Sequence, residues 1–430
     1  MSLRDEAAVL SALRDIVGRS HVLTEPDMVA GYVRDWTGRW TGQTAAVVRP
    51  GSGAEVEEVV RICHGSRLAV VPQGGNTSLV GGSVPHRGEV VLSLRRLDRV
   101  GPIDPALLSV TVGAGVTIGA LQEHAREAGL RYGVDLASRD SATIGGTIAT
   151  NAGGTRVVSQ GDTRRQVLGL EAVLADGSRL SRVNGMPKAS LGPDPLQLLV
   201  GSEGTLGVIT AARVRLLPPE TVEPIVTLVA VQTLSDGLGY LGSGVRAIEF
   251  FDTACLEAVI EHLGLVRPFP GETPFYVLIE SGVTPPIPEN AEAVVDRRLW
   301  AYRESITETI NDLGIPVKLD VAVPLDRVDD FARAVRGLQL EGETYLFGHL
   351  AEGNFHVNVV GNPDPDGVVD QVLEIVVGLG GVIASEHGIG VAKANWWRRT
   401  TEPSVLAFQR RVKEALDPDR ILNPAVFWGV

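Results

Sequence analysis

Three of the eight histidines in this 430-residue chain, His349, His356 and His387, fall between residues 349 and 387. In Tyr345-Leu346-Phe347-Gly348-His349-Leu350-Ala351-Glu352-Gly353-Asn354-Phe355-His356-Val357-Asn358-Val359, the segment Ala351–Asn354 reads as a four-residue turn. Paired across it, Leu350 meets Phe355 and His349 lies directly opposite His356, with Asn358 on the same face. Directly opposed residues carry Cβ atoms ~5 Å apart, within reach of one metal ion. Two histidines that merely decorate a hairpin would show the same spacing. The segment Ala384-Ser385-Glu386-His387-Gly388-Ile389-Gly390 adds a carboxylate. Two histidines and one carboxylate leave a coordination position open, which is the arrangement of a catalytic metal rather than a structural one. Nitrogen and carboxylate ligands suit Zn²⁺ best, with Mn²⁺ or Fe²⁺ as alternatives.

Two cationic side chains lie upstream. Trp300–Thr307 has helical spacing, so Arg303 and Thr307 share a face at i, i+4. An Arg on a helix is commonly a solvated charge. Lys318, however, sits inside the apolar run Ile315–Val321, where a cation needs an anionic partner.

Three glycine-rich loops occur in the first half. The first, Pro72-Gln73-Gly74-Gly75-Asn76-Thr77-Ser78-Leu79-Val80-Gly81-Gly82-Ser83, follows a short apolar run. Glycines let successive N–H groups converge on an anion, and Thr77, Ser78 and Ser83 could add hydroxyl donors. A glycine-rich turn with no ligand is the plainer alternative. The other two are Ser141-Ala142-Thr143-Ile144-Gly145-Gly146-Thr147-Ile148-Ala149-Thr150-Asn151-Ala152-Gly153-Gly154 and Gly201-Ser202-Glu203-Gly204-Thr205-Leu206-Gly207-Val208-Ile209-Thr210. Three such loops suggest a long ligand in an extended pose. No G-x-x-x-x-G-K-[ST] is present, so this is no P-loop. Gly113-Ala114-Gly115-Val116-Thr117-Ile118 lacks the third glycine of a nicotinamide-type site.

The elements that must position these residues fall into two halves. In the first, Ala54–Ser66 and Thr117–Ala128 have helical spacing, and Ala69–Val71 and Val90–Leu94 are strand-like. Val167–Leu174 and Ser178–Val183 form a hairpin around Asp176-Gly177, and the strand Leu206–Leu217 ends at Pro218-Pro219. The domain boundary falls there. The second half alternates strands (Ile225–Val231, Ala247–Phe251, Phe275–Glu280, Val317–Val323) with helices (Thr253–Leu263, Asn290–Leu313, Leu325–Gly337, Val368–Leu379), the pattern of an α+β layer backed by helices.

Length allows two domains with full cores. A net charge of −13 argues against a nucleic-acid surface. Two cysteines, Cys63 and Cys255, are too few for a disulfide framework or a four-thiolate iron–sulfur cluster. The start MSLRDEAAVLSALRDIVG has an amphipathic pattern with Asp5, Glu6 and Asp15 rather than a signal peptide. No apolar run approaches the ~18–20 residues of a membrane span, so a cytoplasmic location is expected.

The motifs PQGGNTSLVGGS, TIGGTIATNAGG and GSEGTLGVIT resemble the FAD-binding domain of the vanillyl-alcohol-oxidase-like flavoproteins. GHLAEGNFHVN and SEHGIG are similar to its D-2-hydroxyglutarate and D-lactate dehydrogenase branch, and the likeness covers roughly residues 25–428. The resemblance implies an α+β fold: a two-part FAD-binding domain (1–219), a substrate and metal-binding cap (220–385), and a C-terminal segment (386–430) returning to the flavin site. It implies that the first loop cradles the FAD pyrophosphate and the second lies along the flavin. The cofactor residues would then be Pro72, Gly74, Gly75, Asn76, Thr77, Ser78, Ser83, Ser141, Thr143, Gly145, Gly146, Asn151, Gly153, Glu203 and Ile209. By the same resemblance His349, His356 and Glu386 bind a divalent metal, His387 is the base, and Arg303, Thr307 and Lys318 bind substrate carboxylates, with Asn358 beside them.

The implied reaction takes the Cα hydrogen of a D-2-hydroxy acid as hydride to FAD while an imidazole takes the hydroxyl proton, the metal acting as Lewis acid. Asn76 stands where members with covalent flavin often carry His, so non-covalent FAD is implied; His86, outside the motif, reads as a surface residue. The stretch after Lys188 departs from the branch, which weakens any role for that lysine. Asp35-Trp36-Thr37-Gly38-Arg39-Trp40-Thr41-Gly42 and Lys318 favour D-2-hydroxyglutarate over D-lactate. Competing readings are a D-2-hydroxy monocarboxylate dehydrogenase, a flavin-dependent transferase of the ether-lipid synthase kind, and a flavin-binding subunit without catalysis. An electron-transfer flavoprotein, a quinone or a cytochrome would accept the electrons. The oligomeric state is open, a homodimer being one option.

Overall fold

A computed structural model describes residues 3–183, 192–242, 244–287 and 291–428; Lys188 lies outside the described residues. The chain divides into two compact units, Met1–Gly153 with Asp162–Pro219 and His387–Val430, and Gly154–Gly161 with Glu220–Glu386.

The first unit carries two sheets. Strands β1 (Val22–Leu23), β2 (Val47–Val48), β3 (Val70–Gln73) and β4 (Val90–Ser93) form one in the order β1-β2-β4-β3, with β2, β4 and β3 parallel. Parallel strands are buried on both faces, which is why these read as short unbroken valine-rich runs. The helix Gly53–Gly65 connects β2 to β3. Ser52 caps it by accepting from Glu55 N, and it buries Val56, Val59, Val60 and Cys63 at helical spacing. Strands β5 (Val100–Asp104), β6 (Ser109–Gly113), β7 (Val167–Val173), β8 (Arg179–Ser181) and β9 (Val208–Arg215) form an antiparallel sheet in the order β5-β6-β9-β7-β8, with the Asp176-Gly177 turn joining β7 to β8. One hydrophobic core joins both sheets to their helices.

The second unit is a seven-stranded antiparallel sheet backed by helices. Its strands are β10 (Ile225–Val231), β11 (Val245–Asp252), β12 (Phe275–Ser281), β13 (Ala293–Val295), β14 (Val317–Ala322), β15 (Glu343–His349) and β16 (Asn354–Val360), ordered β13-β10-β12-β11-β15-β16-β14. On one face the helices Thr253–Leu263 and Ile306–Leu313 bring Cys255, Leu256, Val259, Ile306 and Ile310 into the cluster that holds Phe251, Tyr276, Tyr345 and Phe347. On the other face Phe355 meets Phe250 and Phe331, the latter from the helix Val328–Arg336.

One expected element differs. The helix expected over Asn290–Leu313 begins only at Trp300, and Asn290 itself lies outside the described residues. Ala293–Val295 instead pairs with Thr227–Val229 of β10. Adjacent valines favour the strand, and an open sheet edge supplies the backbone partners.

The segment Gly154–Gly161 leaves the first unit to dock on the second. Arg156 pairs with the buried Glu280 at 2.9 Å, Trp300 Nε1 donates to that carboxylate at 3.1 Å, and Ser159 Oγ donates to Arg246 O at 2.8 Å.

In the first unit a buried ion pair fixes the C-terminal stretch. Lys413 Nζ donates to Thr205 O (2.7 Å), Leu422 O (2.9 Å) and Asp417 Oδ2 (2.5 Å), while Asp417 also accepts from Ile421 N and Leu422 N. Removing one partner of a buried pair strands the other charge. Lys413→Met should therefore lower stability by about 3–5 kcal/mol in urea titration, whereas Arg126→Met, at an exposed pair with Glu123, should change it by less than about 1 kcal/mol.

Candidate active site

The β15–β16 hairpin brings both histidines to one face, by a register other than the expected one. His356 pairs across from Phe347, not from His349; the cross-strand partner of His349 is Glu249 on β11. The difference originates at the turn, where Leu350–Glu352 coils as a 3₁₀ segment. Gly348 permits this, because a Cβ there would come within 2.1 Å of Asn354 O. An offset of two residues leaves the side-chain face unchanged. The two imidazoles still meet, with ring centroids 5.5 Å apart.

Glu386 completes the group. Its Oε1 lies 3.4 Å from His349 Nε2 and its Oε2 lies 3.9 Å from His356 Nε2. One donor atom from each of the three residues lies within 4.8 Å of the others. Burial pushes the Glu386 carboxyl upward, but the two imidazoles outweigh it and hold the group down at about 2. Burial alone would lower His349, yet Glu249 and Glu386 carry it well above the ordinary histidine value. Two buried imidazoles and one half-buried carboxylate, drawn together by charge, fit a divalent cation.

Two buried carboxylates stand behind this group. Glu249 Oε1 is 2.6 Å from His349 Nδ1, and since a carboxylate can only accept, Nδ1 donates and Nε2 faces Glu386. Asp320, opposite His356 on β14, is 3.8 Å from His356 Nδ1. It also accepts from Ser385 N (3.0 Å), Glu386 N (2.7 Å) and Asn354 Nδ2 (2.8 Å). Neither acid was singled out by sequence spacing. The available signal was an isolated carboxylate inside an apolar run, Glu249 in Ala247–Phe251 and Asp320 in Val317–Val323.

Lys318 and Asn358 face each other across β14 and β16, one row along the same face from Asp320 and His356. Burial lowers the Lys318 ammonium to about 8. Arg303 lies in the last turn of the short helix Trp300–Glu304, and Thr307 lies in the next helix, past Ser305. The guanidinium of Arg303 pairs with Glu249 Oε2 at 2.7 Å and lies over the Phe347 ring, so the residue expected at a substrate carboxylate holds a protein carboxylate. Thr307 is half-buried.

In the first unit, the first two glycine loops touch. A Cβ on Gly75 would fall 2.0 Å from Ser141 O, and one on Gly74 would fall 2.3 Å from Thr143 Oγ1. Thr143 caps the helix Ile144–Thr150 by accepting from Gly146 N, and Gly145 lies against Ala114. Pro72 lies on β3, with Gly204 of the third loop packed against its ring. Thr77 and Ser78 are half-buried.

Several expected cofactor residues shape the loops instead of offering free side chains. Asn76 Nδ2 donates to Gly31 O and Arg34 O, and its Oδ1 accepts from Ser83 Oγ. Asn151 bonds Asp162 and Arg164 N, and the chain continues into the buried Gly153. Ile209 is a core residue. Glu203 accepts from Ile389 N and Gly390 N, each at 2.8 Å, and burial pushes its carboxyl up to about 7. It thereby anchors the stretch that follows His387.

Residues 44–181 match the FAD binding domain family, and residues 229–426 match the C-terminal domain of FAD linked oxidases. The chain is 36% identical to the mitochondrial D-2-hydroxyglutarate dehydrogenase of Bos taurus over 96% of its own length and 82% of that protein. It is likewise 36% identical to the D-2-hydroxyglutarate dehydrogenase of Xanthomonas citri pv. viticola, over 96% of its length and 95% of that protein. Its fold is shared with substrate-bound p-cresol methylhydroxylase (TM-score 0.78, 16% identity, 100% of this chain and 98% of that one). It is shared as well with alkyldihydroxyacetonephosphate synthase (TM-score 0.73, 18% identity, 97% and 84%). The FAD-binding domain and the near full-length identity together place the chain: it is an FAD-dependent oxidoreductase and belongs to the D-2-hydroxyglutarate dehydrogenase family.

Proposed function

We propose that the protein oxidises D-2-hydroxyglutarate to 2-oxoglutarate, using non-covalent FAD and one divalent cation, Zn²⁺ by preference. The observation that carries this reading is the single polar face of the cap sheet, where His349, His356 and Glu386 converge and Lys318 and Asn358 form the next row. Rows two residues apart lie ~7 Å apart along a strand, a separation suited to a diacid with a short methylene linker rather than to a three-carbon acid. The names of the relatives point to the same substrate.

When bound, FAD supplies the hydride acceptor and the cation supplies Lewis-acid polarisation of the hydroxyl. His349 Nε2, His356 and Glu386 would hold the cation. His387, covalently next to Glu386, takes the hydroxyl proton on its imidazole. Lys318 Nζ binds the distal carboxylate, with Asn358 and Thr307 lining the same substrate. An electron-transfer flavoprotein, a quinone or a cytochrome reoxidises the enzyme.

Supporting the non-covalent assignment, Asn76 fills the place of a flavinylated His, and its amide is engaged by Gly31 O, Arg34 O and Ser83 Oγ. Acid precipitation should release intact FAD into the supernatant; flavin retained by the precipitated chain overturns this point.

Chelation or His349→Ala should remove turnover with the flavin absorbance nearly unchanged, because the two sets of residues belong to separate loops. His387→Ala should keep the metal and lose ~10²–10⁴-fold in kcat. Full turnover by the chelated enzyme rules the metal out.

The deciding experiment is a panel of D- and L-2-hydroxy acids with a dye acceptor. D-2-hydroxyglutarate should lead. Lys318→Met should lower kcat/KM for the diacid roughly 10–150-fold, the ~1.5–3 kcal/mol of a charge-assisted hydrogen bond, and should barely affect D-lactate. Since the ammonium of the free enzyme loses its proton near pH 8, KM for the diacid should climb as pH rises through that value, and Lys318→Met should abolish the climb. Equal losses on both acids would remove the support for a diacid.

A further inference from the structure

Glu249 is wholly buried on β11, and its two oxygens serve two different residues. Oε1 accepts from His349 Nδ1 at 2.6 Å, and Oε2 pairs with Arg303 Nη2 at 2.7 Å. The sheet does not require this. Backbone pairing joins β11 to β12 and β15, and the cross-strand neighbour of Glu249 on β12 is Leu278. A carboxylate removed from water without partners costs several kcal/mol, so Glu249, His349 and Arg303 are stable there only as a set.

We propose that Glu249 is a positioning residue for the metal and that Arg303 is its counterion, so that Arg303 governs metal affinity without touching the ion. This rests on the reading of His349, His356 and Glu386 as metal ligands. The reasoning is geometric. A carboxylate at Nδ1 fixes the tautomer and the plane of the ring, and leaves the Nε2 lone pair aimed at the side where Glu386 Oε1 stands 3.4 Å away. Its negative charge makes that lone pair a stronger donor. Arg303, with only 10% of its side chain exposed and its guanidinium 4.9 Å from the centre of the Phe347 ring, keeps Oε2 occupied and so prevents the carboxylate from turning away. Phe347 in turn packs on His356, with ring centroids 5.0 Å apart, so the same aromatic ring braces the second histidine.

The measurement is Zn²⁺ binding to the FAD-loaded, metal-stripped enzyme, by competition with a chromophoric chelator. Kd should rise from wild type to Glu249→Gln, which keeps shape and acceptor but not charge, and further to Glu249→Leu, by 10–100-fold for the latter. Arg303→Met should also weaken binding, by about tenfold, at unchanged FAD content. Saturating Zn²⁺ should recover most of the kcat that Glu249→Gln loses at limiting metal. A residue that only supports the fold would lower Tm and leave Kd alone. Zn²⁺ affinities within about twofold of wild type for both Glu249→Gln and Arg303→Met therefore overturn the inference. A wild-type enzyme that takes up no Zn²⁺ overturns the metal site, and this inference with it; tight wild-type binding with unaffected variants sinks the inference alone.

Discussion

Asp320 is 1% exposed in the middle of β14, and its carboxylate receives three N–H groups: Ser385 N, Glu386 N and Asn354 Nδ2. Those three belong to the far end of the second unit and to the start of β16. The chain enters β16 through Asn354, two residues before His356, and leaves the unit at Glu386. One buried anion thus sets where two of the three converging side chains begin. Hydrogen bonds to an ionised acceptor are worth about twice those between neutral groups, and a low-dielectric surrounding strengthens them. The third side chain, His349, is fixed independently from β11 by Glu249.

Such a face is expensive to fold. Glu249, Asp320, His349, His356 and Arg303 are all nearly or fully buried, and each desolvated charge opposes folding unless paired. The offset comes from the remainder of the sheet. Phe250, Phe355 and Phe331 meet edge to face on one side, and Phe251, Tyr276 and Phe269 stack on the other. Rigid packing on both flanks is what a site with fixed donor positions needs.

Local patterns revealed most strands of the second unit and the glycine loops of the first. They also brought His349 and His356 to one face, although by a wrong pairing that happened to preserve parity. The turn at Leu350–Glu352 is not legible because its length depends on how closely Asn354 passes Gly348, a contact between backbones that is marked in the sequence only by a glycine. Ala293–Val295 was misread for a related reason: its strand character is supplied by the edge of β10, which lies more than sixty residues earlier. Arg303 shows a third limit. Its helical position was legible, but the identity of its partner, an acid on a different strand, is a fact of three dimensions. The same holds for Asn76 and Asn151, whose amides look available in sequence and are taken up by neighbouring backbone and side-chain groups in the fold.

The excursion Gly154–Gly161 makes the second unit a discontinuous module. A polypeptide covering only Glu220–Glu386 would omit Arg156, and Glu280 would then keep Trp300 as a neighbour but lose its cation. The unit is therefore not a cassette that can be excised or grafted at its two outer boundaries. Recombination between relatives would have to exchange an eight-residue piece of the first half together with the long second segment, and the acid at position 280 and the base at position 156 should be inherited jointly.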